Sequence, residues 1–181
     1  AKGKSVVMSG SNDPNEQVMV NAINFLLGNY GSTISLDRTC NLKNSNDAAY
    51  AQLLSDMDNG SVGAVIFWNT NPAYTASNPK AFATTLAKVP VKISLSDRED
   101  ETAQGCDYVC PDHHYLESWG DAEAYKGSFS LMQPTIRPLF NTRQAGESLL
   151  KWSGSATPDY YTYIRNTWNT AVFPMQNGMS S

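Results

Sequence analysis

A chain of 181 residues is long enough to bury one sizeable core and too short for two large ones. Thirteen basic against seventeen acidic side chains leave a net charge of −4, which favours neither a nucleic-acid groove nor an anionic membrane surface. No run approaches the ~20 apolar residues of a membrane span, the opening Ala-Lys-Gly-Lys-Ser has no apolar signal-peptide core, so that any export signal lies outside this sequence, and Cys40, Cys106 and Cys110 form no disulfide framework.

In chain order, Ser5 to Ser9 reads as a short, mostly apolar strand ending at Gly10. Asp13, with Pro14 at the first helical position and Glu16 three residues beyond the cap, has the spacing of a capping box. The helix it starts is expected to bury Val18, Met19, Ala22, Ile23, Leu26 and Leu27 and to stop at Gly28 or Gly31. Strand, glycine turn and helix N-terminus together suit a phosphate held on backbone N–H groups, but Ser-Gly-Ser-Asn-Asp-Pro is neither a Walker loop nor G-x-G-x-x-G. Thr33 to Leu36 is a second short strand and Asp37 to Asn46 a polar loop. Asn46 or Asp47 then caps a helix with Ala51, Leu53, Leu54 and Met57 inward, which Asn59-Gly60 stops.

Val62 to Trp68 is a continuous apolar run, the pattern of a strand covered on both faces and hence of a parallel sheet. Asn78-Pro79 opens a helix with Phe82 and Leu86 one turn apart, which ends before Pro90. Val91 to Leu95 alternates as a further strand, and Asp107 to Cys110 is a shorter one closed by Pro111. Strand and helix alternating at this spacing predict an α/β domain over residues 1–121, Rossmann-like and doubly wound, with a mostly parallel sheet and helices on both faces. Residues 122–154 are expected to wrap it as loops and short strands before a helix carrying Ala145, Leu149 and Trp152 on one side. Residues 155–181 form an aromatic-rich tail, Tyr161, Ile164, Trp168 and Val172 falling at helical intervals, that reads as continuing into a missing part of a longer protein.

The polar signals concentrate in residues 90–121. Asp97, Glu99, Asp100 and Glu101 follow a strand end, either as a helix N-terminal cap, where the macrodipole favours carboxylates, or as a cation site. Cys106, Cys110, His113 and His114 are ligand types that suit zinc, in a spacing that matches no usual structural pattern; the alternative is two small buried thiols and two loop histidines. His113 or His114 beside Asp112 and Glu117 has the ingredients of a general base with an orienting acid, but no serine elbow or cysteine protease signature accompanies it. Tyr115 and Trp119 read either as partner contacts or as loop-closing core.

The order strand, Asp97, acidic turn, Glu101-Thr102-Ala103, Asp107-Tyr108-Val109-Cys110-Pro111, Glu117 and Gly120-Asp121 resembles the C-terminal α/β region of the molybdopterin oxidoreductase family. The wording Asp-His-His-Tyr-Leu-Glu-Ser-Trp-Gly-Asp, residues 112–121, is similar to the exported, molybdopterin-enzyme-like iron-sulfur subunit of alternative complex III, a bacterial quinol-oxidising complex. The resemblance spans roughly residues 5–155. It implies a parent protein carrying molybdopterin guanine dinucleotide and iron-sulfur clusters, with Asn12, Asn71 and Asp97 bordering the guanosine ends of the cofactor. Of the family's Gly-Glu-Asn-Pro loop only Asn71-Pro72 is shared, and where the family places a pterin-holding Asn and Arg this chain runs Gly127-Ser128-Phe129-Ser130-Leu131-Met132-Gln133. A pyrophosphate needs charge-assisted donors, so no cofactor is expected in this fragment, in agreement with the alternative complex III subunit, whose molybdopterin-like half is a scaffold. The implied partners are other subunits of a membrane respiratory complex and the iron-sulfur half of the parent chain, on the periplasmic side of the bacterial inner membrane, with no nucleic acid and no direct span. Two other readings stand beside it: the guanosine-binding domain of an active molybdopterin-dependent oxidoreductase, and a free-standing nucleotide-binding α/β module.

Overall fold

The structure, a computed structural model, describes residues 2–42 and 45–176; the last residues of the aromatic tail, 177–181, lie outside the described residues. The chain forms two compact units, residues 1–44 with Glu123–Ser130, and residues 45–122 with Leu131–Ser181.

The first unit is organised by two buried asparagines. Helix α1, Pro14–Leu26, starts where Asp13 accepts the Asn15 N–H at 2.8 Å, as the Asp-Pro signal predicts. The capping box itself does not form, because Asp13 takes the N–H of Asn15 instead of that of Glu16, the Glu16 carboxylate turns to the Ser9 hydroxyl, and the Asp13 N–H goes to Ser11 Oγ at 3.1 Å. Gly28, at φ 63°, closes the helix in the left-handed conformation that glycine alone adopts freely. The expected burial of the helix is overturned: Val18, Met19 and Leu26 are 66, 62 and 71% exposed, and the buried residue is Asn24. Asn24 also explains why Ser5 to Ser9 is not a strand. Its side-chain amide accepts the Val7 N–H at 2.9 Å and donates to the Val7 carbonyl at 2.8 Å, so a side chain meets the needs that a neighbouring strand would meet. Asn29 donates to Asn24 Oδ1 at 2.9 Å, and its carbonyl gathers the N–H groups of Ser32, Thr33 and Ile34. That convergence curls Thr33 to Leu36 into a turn with a single bridge, Tyr30 to Ile34, in place of the predicted strand.

A hairpin of β4, Gly120–Tyr125, and β5, Ser128–Met132, turns at Gly127, φ 78°. Its tip, residues 123–130, is part of the first unit and pairs within it through Asn41 N–H to Ala124 O and Lys126 N–H to Thr39 O.

The second unit holds the parallel sheet. Strands β1 (Ala64–Phe67), β2 (Val91–Ser94) and β3 (Tyr108–Val109) lie in the order β1-β2-β3, with Ala64 opposite Val91, Phe67 opposite Ser94 and Ile93 opposite Tyr108. The fold is α/β. The sheet is smaller than the sequence predicts, and among these three strands the order runs straight through with no reversal. Helix α2, Asp47–Asp58, is capped by Asn46, which accepts the Ala49 N–H at 3.0 Å; after the short α3, Pro72–Thr75, helix α4, Pro79–Leu86, is capped by Asn78, which accepts the Ala81 N–H at 3.1 Å. Met57, Phe67, Phe82, Leu86 and Val89 form the core under these helices, with Phe67 and Phe82 edge to face at 6.1 Å. Leu53, expected inward, is 39% exposed.

The expectation that Val62 to Trp68 is covered on both faces fails at Ile66, which is 43% exposed. The cause is the connection from β2 to β3, which supplies a single 3-10 turn, Ala103–Gly105, in place of a helix. That turn packs on the side already covered, where a Cβ on Gly105 would stand 3.3 Å from Leu86 Cδ2.

The chain ends in α5, Ala145–Trp152, and α6, Tyr160–Thr167, continued by a π-helical turn Trp168–Val172. Ile164, Trp168 and Val172 are buried as their spacing predicts, while Tyr161 stays half exposed with its ring 4.6 Å from that of Trp119. Gly146 lets the Tyr160 ring approach α5, since a Cβ there would lie 2.3 Å from Tyr160 Cε2. No helix among the described residues is long and apolar enough to cross a membrane.

Candidate functional site at the strand ends

The carboxyl ends of β1, β2 and β3 open into a cavity of about 610 Å³. Parallel strands deliver their following loops to one end of a sheet, which is where α/β proteins place ligands. β1 contributes Trp68 through Asn71, β2 the loop from Ser96, and β3 the segment Asp112 to Tyr115; Gln144 and Tyr160 reach in from α5 and α6. Asn69 sits at φ 52°, a left-handed conformation that asparagine tolerates better than most residues, and so turns the chain sharply at the rim.

Two side-chain clusters fix these loops. Asn71 Oδ1 accepts from Thr102 Oγ1 at 2.7 Å and its Nδ2 donates to Glu101 Oε2 at 2.7 Å, which holds the Glu101 carboxyl below the usual carboxylate range. Thr102 Oγ1 also accepts the Ala73 N–H at 3.0 Å. In the second cluster Asp112 takes the Trp68 indole N–H at 3.0 Å on one oxygen, and the N–H groups of His113 and Ala145, each at 2.7 Å, on the other. Residues 68, 112 and 145 are thereby tied through one carboxylate.

Asn71 and Asp97 are brought together on this cavity, whereas Asn12 belongs to the first unit and is exposed. The Asp97 carboxylate is gripped by Arg98 through Nε at 2.8 Å and Nη2 at 3.0 Å, and this lowers its pKa. The acidic run acts as a cap: Asp100 Oδ1 accepts the N–H groups of Thr102 and Ala103 at the start of the 3-10 turn. The metal alternative is not supported, since no group of three or more potential ligands assembles among the described residues. Cys106 packs against the core and donates its Sγ hydrogen to Thr102 O at 3.3 Å; burial pushes its thiol up to about 11. Cys110 instead lies with His113 beside a separate hollow lined by Arg143 and Lys151. The acid–imidazole pairing is not formed either. Asp112 and Glu117 bond the backbone N–H groups of His113 and His114, not their rings, and His113 Nε2 is buried without a hydrogen-bond partner. Glu117 and His114 form the capping box of a 3-10 turn, Tyr115–Glu117, and Glu117 also accepts the Leu139 N–H at 3.1 Å.

No protein-family model matches the chain. Over 95 residues, half of the chain, it is 38% identical to the menaquinone reductase, molybdopterin-binding-like subunit of Nitratidesulfovibrio vulgaris. The likeness supports a molybdopterin-enzyme-like family. The matched part spans 14% of that protein's length.

The cavity's lining does not suit the cofactor that the resemblance implies. Asp97, Asp100, Asp112 and Asp121 line it against a single guanidinium, Arg98, which is already spent on Asp97. The resemblance sets guanosine beside Asn71 and Asp97, and an anionic dinucleotide laid along this lining would face four carboxylates without the charge-assisted donors its pyrophosphate requires. The Asn71 amide, which the resemblance would give to guanosine, has both ends occupied by Thr102 and Glu101. Burial first, then the neighbouring Asp121, Tyr163 and Asp112, raise the Tyr160 pKa.

Sequence reading finds Asn71 and Asp97 because they follow strand ends. It misses Gln144 and Tyr160, which enter the cavity from helices far along the chain and carry no local pattern.

Proposed function

We propose that this chain is the α/β part of a respiratory oxidoreductase subunit that resembles molybdopterin enzymes and works as a scaffold without a molybdenum cofactor of its own. Its role is to hold neighbouring subunits and the iron-sulfur part of the parent chain in electron-transfer register, on the periplasmic side of the bacterial inner membrane. The observation that carries the scaffold reading is the lining of the strand-end cavity, four carboxylates to one guanidinium, along which the resemblance would lay an anionic dinucleotide. The likeness to a menaquinone reductase subunit supports a quinone-linked complex, and the wording of residues 112–121 is similar to the corresponding subunit of alternative complex III. The second reading, an active molybdopterin-dependent oxidoreductase with Asn71 and Asp97 on guanosine, draws on the meeting of those two residues at one cavity.

Metal and pterin analysis of the full-length protein purified from its native membrane separates the readings. Iron without molybdenum and without oxidised-pterin fluorescence is the expected result. Molybdenum near one per chain would overturn the scaffold reading and make Asn71 and Asp97 cofactor residues.

A further inference from the structure

The groups facing the strand-end cavity are acceptors held ready by neutral donors. Asp100 receives the Ser96 hydroxyl at 2.9 Å and two backbone N–H groups, Asp112 an indole and two backbone N–H groups, and Asp121 the Trp168 indole N–H at 2.9 Å. Neutral hydrogen bonds orient these carboxylates without cancelling their charge, so three negative charges stay uncompensated around one hollow. His113 also borders the hollow, and its Nε2 is buried without a hydrogen-bond partner. Aromatic side chains also stand in the walls: Tyr115, packed against His114 at 4.3 Å, and Trp119, packed against Tyr161 at 4.6 Å, border the hollow. Carboxylates that only accept, set among aromatic side chains, select a planar cation with several N–H groups. A volume of about 610 Å³ exceeds what one such side chain fills and matches a loop that carries it.

We propose that this cavity is the socket for an arginine-bearing loop of a neighbouring subunit. The inference rests on the scaffold reading and names the contact by which the scaffold holds its partner. The guanidinium sits among Asp97, Asp112 and Asp121, and the partly exposed Asp97 carboxylate is shared between it and Arg98.

Carbodiimide labelling of carboxylates with glycinamide tests it, on the intact complex and on the full-length subunit freed of its partners. Labelling of Asp97 and Asp121 is expected to fall several-fold in the complex, while Asp107, paired with Lys92 away from the cavity, labels equally in both states. A double variant, Asp97→Asn with Asp121→Asn, keeps an acceptor for the Trp168 indole and is expected to weaken partner retention about ten-fold, with a shallower salt dependence. Equal labelling in both states, protection that survives removal of the partners, or unchanged retention of the variant would each overturn the socket and leave the scaffold standing. Protection of the freed subunit by guanosine 5′-diphosphate would overturn both.

Discussion

The two units solve the same problem, pairing buried backbone, by different means. In the second, β1, β2 and β3 satisfy one another through a parallel ladder, and the helix caps at Asn46 and Asn78 finish the work. In the first, the Val7 segment has the apolar residues of a strand but meets a side chain, Asn24, whose amide imitates a strand's paired N–H and C=O. A ladder distributes its hydrogen bonds over many residues and tolerates the loss of one. An amide clasp concentrates them, so a single substitution removes two at once.

The largest effect is expected where packing leaves no slack. Gly146→Ala places a Cβ against the Tyr160 ring and should destabilise the second unit by about 2–3 kcal/mol, read as a lower urea midpoint with unchanged slope. Asn24→Ala in the first unit leaves the Val7 N–H and carbonyl without their partner and should cost about 2 kcal/mol. Its signature is local: amide exchange at Val7 accelerates while exchange at Ile93 in β2 does not, and equal acceleration at both would erase the contrast between clasp and ladder.

The cysteines sharpen the comparison chemically. Cys40 of the first unit is exposed, whereas Cys106 packs in the core of the second with its thiol pushed up to about 11. Iodoacetamide at mildly alkaline pH should modify Cys40 and spare Cys106. Because the folded value is raised, the linked stability is complete below the thiol's ordinary pKa and is lost as pH climbs toward the folded one. Cys106→Ala should therefore flatten the alkaline limb of the stability curve. The smallest effect is at Lys92. Its ammonium stands 3.0 Å from Asp107, and its hydrogen bond to that carboxylate lowers the Asp107 pKa. A depressed carboxyl contributes stability above its ordinary pKa and loses it as pH falls through the folded value, so Lys92→Met should soften the acid limb slightly through an equally small loss of stability at neutral pH.

How far the sequence leads differs between the units for the same reason. Asp13-Pro14, Asn46 and Asn78 act as caps, and Val62 to Trp68 and Val91 to Leu95 each contain a strand, because these signals are local and their partners lie within a few residues. The role of Asn24 depends on a residue seventeen positions away, and its only trace in the sequence is a polar side chain between Ile23 and Phe25. At the cavity, Asn71 and Asp97 are found by position after strands, and of the two readings of the acidic run the cap is the one formed, through Asp100. That Asp112 would serve Trp68 and Ala145, rather than an imidazole, follows from the register of β3 against β2 and from the return of the chain at α5, neither of which is written locally.

The Asn71–Thr102 and Asp112–Trp68 ties have a consequence for the kinetics of whatever enters between them. A rim already frozen in place has little disorder left to surrender, and each side chain that need not be immobilised on association spares about 0.5–1.5 kcal/mol. Association at such a preformed rim proceeds as a rigid docking event, with an on-rate governed by charge steering and ionic strength instead of by loop closure.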